Sequence, residues 1–242
     1  MKKPDDRSAL SRRQMLSRAA AVGGAATIVL STGVTSAPGA SAATGNDVGE
    51  ALGITAAYTL PSSEHGYIRG GEVHHTDWAA GTNRKIAVQF PTLPKGFAHG
   101  VDAAYVLPNG VHGFIKGGEV HHTDWAAGAI RKIAVQFPTL PKGFAHGVDA
   151  AYVLPNGVHG FIKGGEVHHT DWAAGTTRKL ADRFPTLPTH FAGGISAAYV
   201  RPDWAYVFIK GGEVHRTDLG KKVIRKIADE LPELPEPWKS EG

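Results

Sequence analysis

The sequence predicts an all-β chain with short helices, arranged as a four-bladed β-propeller, on three observations. From Ala56 the chain repeats every 47 residues, four times, without insertion or deletion: Ala-Ala-Tyr recurs from Ala56, Ala103, Ala150 and Ala197, and Gly-Gly-Glu-Val-His from Gly70, Gly117, Gly164 and Gly211. A fixed period in this range marks units that bury their apolar faces against one another. Each unit also reads as consecutive strands joined by turns, and such a sheet stacked radially on its own copies is a propeller blade. Finally, the first and last units keep the apolar motifs of the middle ones, whereas an open solenoid needs polar capping repeats. Four units therefore close a ring, with repeats at 54–100, 101–147, 148–194 and 195–242.

The second unit serves for all. Val101 to Val106 is a short β-prone run that ends at the turn Leu107-Pro108-Asn109-Gly110. A second strand follows over His112 to Lys116. Gly117-Gly118 then makes a hairpin turn of the type that tolerates positive φ, and Glu119 to Asp124 returns as a third strand. This hairpin sets Lys116 opposite Glu119, Phe114 opposite His121 and His112 opposite Thr123. Ile130 to Phe137 has helical spacing, with Ile130, Ile133, Ala134 and Phe137 on one face, and Pro138 ends it. A fourth, outermost strand is expected to be rudimentary. Residues 84–128 and 131–175 are identical, which points to recent duplication, so sameness between these units says little about function.

The segment before the repeats, residues 1–42, reads as an export signal. Ser11-Arg12-Arg13-Gln14-Met15-Leu16 resembles the twin-arginine motif; a weakly apolar run, Ala19 to Leu30, and the small-x-small site Ala40-Ser41-Ala42 follow. That run is shorter than the ~20 residues needed to span a bilayer. Residues 43–53 are a linker and 54–242 the propeller. The expected location is outside a bacterial cell.

The formal charge of +4 belongs to this leader. Removing the six basic and two acidic residues of 1–42 from the chain's 26 and 22 leaves 20 of each. A neutral body has no footprint for a phosphate backbone, so nucleic acid is excluded as a partner. Cysteine is absent, so packing alone must close the ring.

Three linked motifs carry a family resemblance. Val148-Asp149-Ala150-Ala151-Tyr152, then Gly160-Phe161-Ile162-Lys163-Gly164, then Arg178 to Pro188 with its Phe184-Pro185-Thr186-Leu187-Pro188 ending, resemble the hemopexin-type repeat. Four copies cover residue 54 to about residue 238. The resemblance implies a four-bladed propeller with a narrow axial channel. It also implies that carbonyl oxygens at Thr55, Asp102, Asp149 and Ser196 hold calcium or sodium, with amides of Ala57, Ala104, Ala151 and Ala198 holding chloride. Oxygen ligands suit hard cations, and converging amides suit anions. The third strand departs from the family's aromatic pattern, with Val120-His121-His122-Thr123-Asp124 in its place.

The histidines are the unusual feature. His74-His75, His121-His122 and His168-His169 recur, with His215-Arg216 last; His65, His112 and His159 form a second set, replaced by Tyr206. Adjacent strand residues point to opposite faces, so neither pair chelates one metal. His112 and His121 share a face, which makes His74, His112, His121, His159, His168 and His215 candidates for haem or a transition metal. The commoner role for such histidines is to fill the gap between blades with hydrogen-bond partners in place. Trp78, Trp125 and Trp172 stand on the rim, and the Arg-Lys pairs from Arg84, Arg131, Arg178 and Arg225 read as a solvated helical belt. Asp77, Asp124, Asp171 and Asp218 recur once per blade, as structural acceptors do.

No zinc-protease helix, nucleophile elbow or phosphate loop occurs. The expectation is an exported, monomeric, non-catalytic binding module with ions in its channel. Its ligand would be a small molecule or an extracellular protein or glycan, and haem or metal capture is the alternative.

Overall fold

The computed structural model describes residues 53–220 and 222–239; the expected export segment, 1–42, and the expected linker as far as residue 52 lie outside them. Four antiparallel sheets of four strands follow one another, each with its strands in chain order. The first comprises Ala56–Thr59, His65–Arg69, Glu72–His75 and Arg84–Lys85; the others repeat it at 103–132, 150–179 and 197–226. The hairpin register is the expected one, with Lys116 facing Glu119 and Phe114 facing His121. Gly117 turns it at φ +56.

The helix differs from expectation. A single turn, Ile133–Gln136, stands where Ile130 to Phe137 was expected, and Arg131–Lys132 form a two-residue outer strand against Glu119 and Val120. Gly128, at φ +75, turns the chain back alongside the third strand, and the Ile133 amide bonds the Gly118 carbonyl at 2.9 Å. Only Ile133 and Phe137 are buried; Ile130 is 44% exposed and Ala134 is exposed.

Burial lies between blades rather than within them. Alternate inner-strand residues serve opposite seams, as a period of two requires. Ala56 and Tyr58 pack with Phe90 and Phe97 of their own unit against Ala104, Val106 and Phe114 of the next, while Ala57 and Tyr67 face the fourth blade. Equivalent seams join blades two to three and three to four. The fourth seam closes the ring: Ile54, Ala57 and Tyr67 of the first unit pack with Val207, Leu231, Leu234 and Trp238 of the last. Trp238, in the terminal turn Glu236–Lys239, stands at the position of Phe97, Phe144 and Phe191. The Glu233 carbonyl accepts from the Gly81 amide at 2.9 Å, and Arg69 donates to the Pro237 carbonyl. The chain thus has its first and last units in contact, and the solenoid alternative does not apply.

Candidate functional site: the axis and the blade seams

The inner strands Ala56–Thr59, Ala103–Val106, Ala150–Val153 and Ala197–Val200 pack side by side around the axis. Alanine at two successive positions keeps them close, and Ala57, Ala104, Ala151 and Ala198 are all buried. Where the strands begin, Thr55, Asp102, Asp149 and Ser196 line a cavity of about 370 Å³, so the four positions singled out from the sequence do meet at the axis. Their side chains are engaged with their own hairpins. Asp102 Oδ2 accepts from the Gly117 amide and Asp149 Oδ2 from the Gly164 amide, both at 2.6 Å. Ser196 Oγ donates to the Ile209 carbonyl at 3.0 Å and Thr55 Oγ1 to the Ile68 carbonyl at 3.4 Å. The four main-chain carbonyls precede the strand ladders, which begin one residue later. Lys163 also lines this end, with its ammonium bonded to the Gly147 carbonyl at 2.7 Å.

At the opposite end the inner strands open into a bowl of about 260 Å³. Between bowl and channel, the level of Tyr58, Tyr105, Tyr152 and Tyr199 leaves only about 10 Å³. Leucines of the first three blades line the bowl; the fourth places Arg201 there instead.

The candidate histidines lie away from the axis, in two environments. The first of each third-strand pair, His74, His121, His168 and His215, is fully buried, and the last three bridge neighbouring units. His121 Nδ1 bonds the Ala129 carbonyl at 2.7 Å, while its Nε2 faces Thr92 Oγ1 of the preceding unit at 3.3 Å. His168 and His215 repeat this with Thr176 and Thr139, and with Val223 and Thr186. His74 bonds the Thr82 carbonyl, but its Nε2 has no partner: position 233, where the other units have that threonine, is a glutamate.

The second of each pair faces the other seam. His75, His122 and His169 Nε2 pair with the hydroxyls of Tyr58, Tyr105 and Tyr152 at 2.7, 2.6 and 2.7 Å, and each ring lies on its rim tryptophan at about 4.6 Å. Across that seam His112 packs edge-on to Tyr58 at 5.2 Å and His159 to Tyr105 at 5.0 Å. The Nε2 atoms of His112 and His159 are buried without a partner. His112 and His121 share a face, as expected, but bond different groups. Burial pushes His65, His112, His159 and His169 down to about 4, and lowers His75 and His122. It raises the tyrosines Tyr58, Tyr105 and Tyr152. Among the described residues no group of three His, Asp or Glu side chains is arranged to hold one metal ion.

Two features were not foreseen from the sequence. The Arg-Lys pairs are edge strands, not helix, and Arg84, Arg131 and Arg178 lie over Trp78, Trp125 and Trp172 at 4.3, 4.4 and 4.5 Å. The tyrosine of each of the first three inner strands, 17 residues before the histidine it bonds, was visible only as part of the Ala-Ala-Tyr repeat. The recurrent aspartates Asp77, Asp124, Asp171 and Asp218 are all exposed, and Asp218 pairs with Arg216 at 2.6 Å.

No protein-family model matches the chain, and no curated protein sequence matches it. Solved structures do. Hemopexin fold protein CP4 from cow pea is 22% identical with a TM-score of 0.62, over 74% of this chain and 95% of that one. LS24, a seed albumin from Lathyrus sativus, is 19% identical with a TM-score of 0.65, over 77% and 97%. A Cicer arietinum lectin described as having two metal-binding sites is 19% identical with a TM-score of 0.61, over 74% and 96%. These likenesses speak for the fold alone: the chain is a four-bladed β-propeller similar to hemopexin-fold seed proteins of plants.

Proposed function

We propose that this chain is an exported, non-catalytic binding module whose axial channel holds a calcium or sodium ion on main-chain carbonyls of Thr55, Asp102, Asp149 and Ser196. Chloride would sit on the amides of Ala57, Ala104, Ala151 and Ala198. The observation that carries the reading is the convergence of the four carbonyl-bearing positions on one axial cavity while their side chains are bonded elsewhere. The main-chain oxygens at these four positions suit a hard cation, and the Lys163 ammonium that also lines this end is bonded to the Gly147 carbonyl. Because the ligands are main-chain atoms, Thr, Asp and Ser are interchangeable at these positions. The ion's contribution would be structural, drawing four strand ends together.

The haem or transition-metal reading gains less support. His74, His121, His168 and His215 are fully buried, and three of the four have both ring nitrogens engaged. A cofactor would have to open a seam to reach them.

The test is elemental analysis of the purified chain, with melting before and after EDTA and dialysis into a tetramethylammonium salt. A site saturated about 100-fold above its Kd stabilises by about 2.7 kcal/mol, or roughly 5–10 °C for a domain of this size. Bound metal together with such a shift supports the proposal. Absence of both sinks it.

A further inference from the structure

We propose that the bowl opposite the cation end is a binding site for a small aromatic carboxylate. The site rests on the reading of the chain as a binding module but not on the channel ion. Three independent observations support it.

The bowl is a dead end. Its cavity of about 260 Å³ narrows to about 10 Å³ at the tyrosine level, so an occupant of more than a few atoms stays in the mouth. That size suits one or two fused rings, and ligand pockets of this kind are mostly apolar with a few polar anchors.

The lining is asymmetric in charge. Leu60, Leu107 and Leu154 are replaced in the fourth unit by Arg201, the one charged residue of the lining. Thr59, from the adjoining first blade, stands where the other blades have valine. Three sides are therefore apolar and one corner offers a guanidinium, which binds carboxylates through a planar fork. Asp203 lies 3.3 Å from Arg201 but is 54% exposed, so this solvent-side pair is readily exchanged for a buried carboxylate.

The turn above that corner carries an exposed indole. In the duplicated units this turn is Pro-Asn-Gly, with Gly110 and Gly157 at φ +85. The fourth unit has Trp204 there, at φ +67 and 47% exposed, in the same turn as Arg201, whose carbonyl accepts from its amide at 2.9 Å. A left-handed backbone disfavours a bulky residue. An indole left on the surface gains little packing in return. A flat aromatic partner gives it a role: rigid aromatic anchors beside a cation are the usual composition of a binding centre.

The experiment is a titration of the chain with 2-naphthoate, followed by calorimetry and by tryptophan fluorescence. 2-Naphthalenemethanol and 2-naphthylmethylammonium are the neutral and cationic controls. Each run is done before and after EDTA and dialysis into a tetramethylammonium salt, so that loss of a channel ion and loss of bowl binding are read separately. Both test variants restore residues that other units carry: Arg201→Leu and Trp204→Gly. One molecule of 2-naphthoate per chain is expected, with at least tenfold preference over both controls. Arg201→Leu should weaken it tenfold or more. Trp204→Gly should weaken it about fivefold, remove part of the fluorescence change and leave melting unchanged or raised. No saturation below 1 mM, equal binding of the neutral control, or binding unaffected by Arg201→Leu would each overturn the proposal.

Discussion

Gly113 shows how narrowly a single residue fits this fold. A Cβ at this position would lie 2.2 Å from the ring of Tyr105, and Gly66 and Gly160 stand in the same relation to Tyr58 and Tyr152. The missing side chain lets the ring lie across the second strand and reach the third-strand histidine at 2.6 Å. Gly113→Ala should push Tyr105 from its place and cost about 2–3 kcal/mol by overpacking, measured by denaturant unfolding; a change within 0.5 kcal/mol would contradict the assigned contact. The sequence made the repetition of tyrosine, glycine and histidine plain. It did not disclose that they form one cluster, because spacing along a strand gives the face of a side chain and not its rotamer. The same holds for His121, whose partners Thr92 and Ala129 come from segments 29 residues before and 8 after it.

Elements were legible in proportion to their length. Second strands matched the expected bounds, and their register followed from a two-glycine turn. A rudimentary outer strand was expected, but its two residues, Arg131–Lys132, were read as helix because they carry no period of their own, while Ile130, Ile133 and Phe137 fit a helix by chance. What fixes it is tertiary: pairing with Glu119 and Val120 and the lid that Arg131 forms on Trp125. The terminal turn Glu236–Lys239 is the other element whose role depends on distant partners. Trp238 fills the last seam, so Trp238→Ala should destabilise by about 3–5 kcal/mol. The loss should appear in melting as a single lowered transition, since opening one seam exposes the core on both sides. An unchanged melting temperature would mean that the tail does not clasp the ring.

The ring as a whole stores its acid sensitivity in the seams. The seam between the first two blades sets His75 near His112, with Tyr58, Phe90 and Phe114 around them; the next sets His122 near His159 among Tyr105, Phe137 and Phe161. The outer rims of these seams carry Asp77 and Arg84, and Asp124 and Arg131. The third seam has Tyr206 and Arg183 facing His169. The last has Arg216, held by Asp218 and Glu230, near His65, Arg201 and Glu64. Folded, His112 and His159 titrate at about 4; unfolded histidine titrates at about 6.5. The unfolded chain therefore takes up protons first as pH falls. Stability is complete above about pH 6.5 and is lost between there and about 4, by up to about 3 kcal/mol for each of these two groups. Melting temperature should be flat above neutrality and fall steeply below pH 6.5. Substituting both histidines with tyrosine, the residue at 206, should move that fall to lower pH. A melting temperature independent of pH down to 4 would contradict the assigned burial.

Closure was legible in the repeat because four units with equivalent apolar faces leave no end to cap. The proposed channel ion rests in the sequence on family resemblance alone, since main-chain ligands would leave little trace in side-chain identity. The most direct measurement is an electron-density map of the axis from crystals of the chain grown without chelator. The account predicts a peak about 2.3–2.6 Å from the carbonyl oxygens of Thr55, Asp102, Asp149 and Ser196, shorter than a water's hydrogen bonds, and stronger than water if the ion is calcium. A channel filled only by water at hydrogen-bond distances, with those carbonyls turned from the axis, would contradict it.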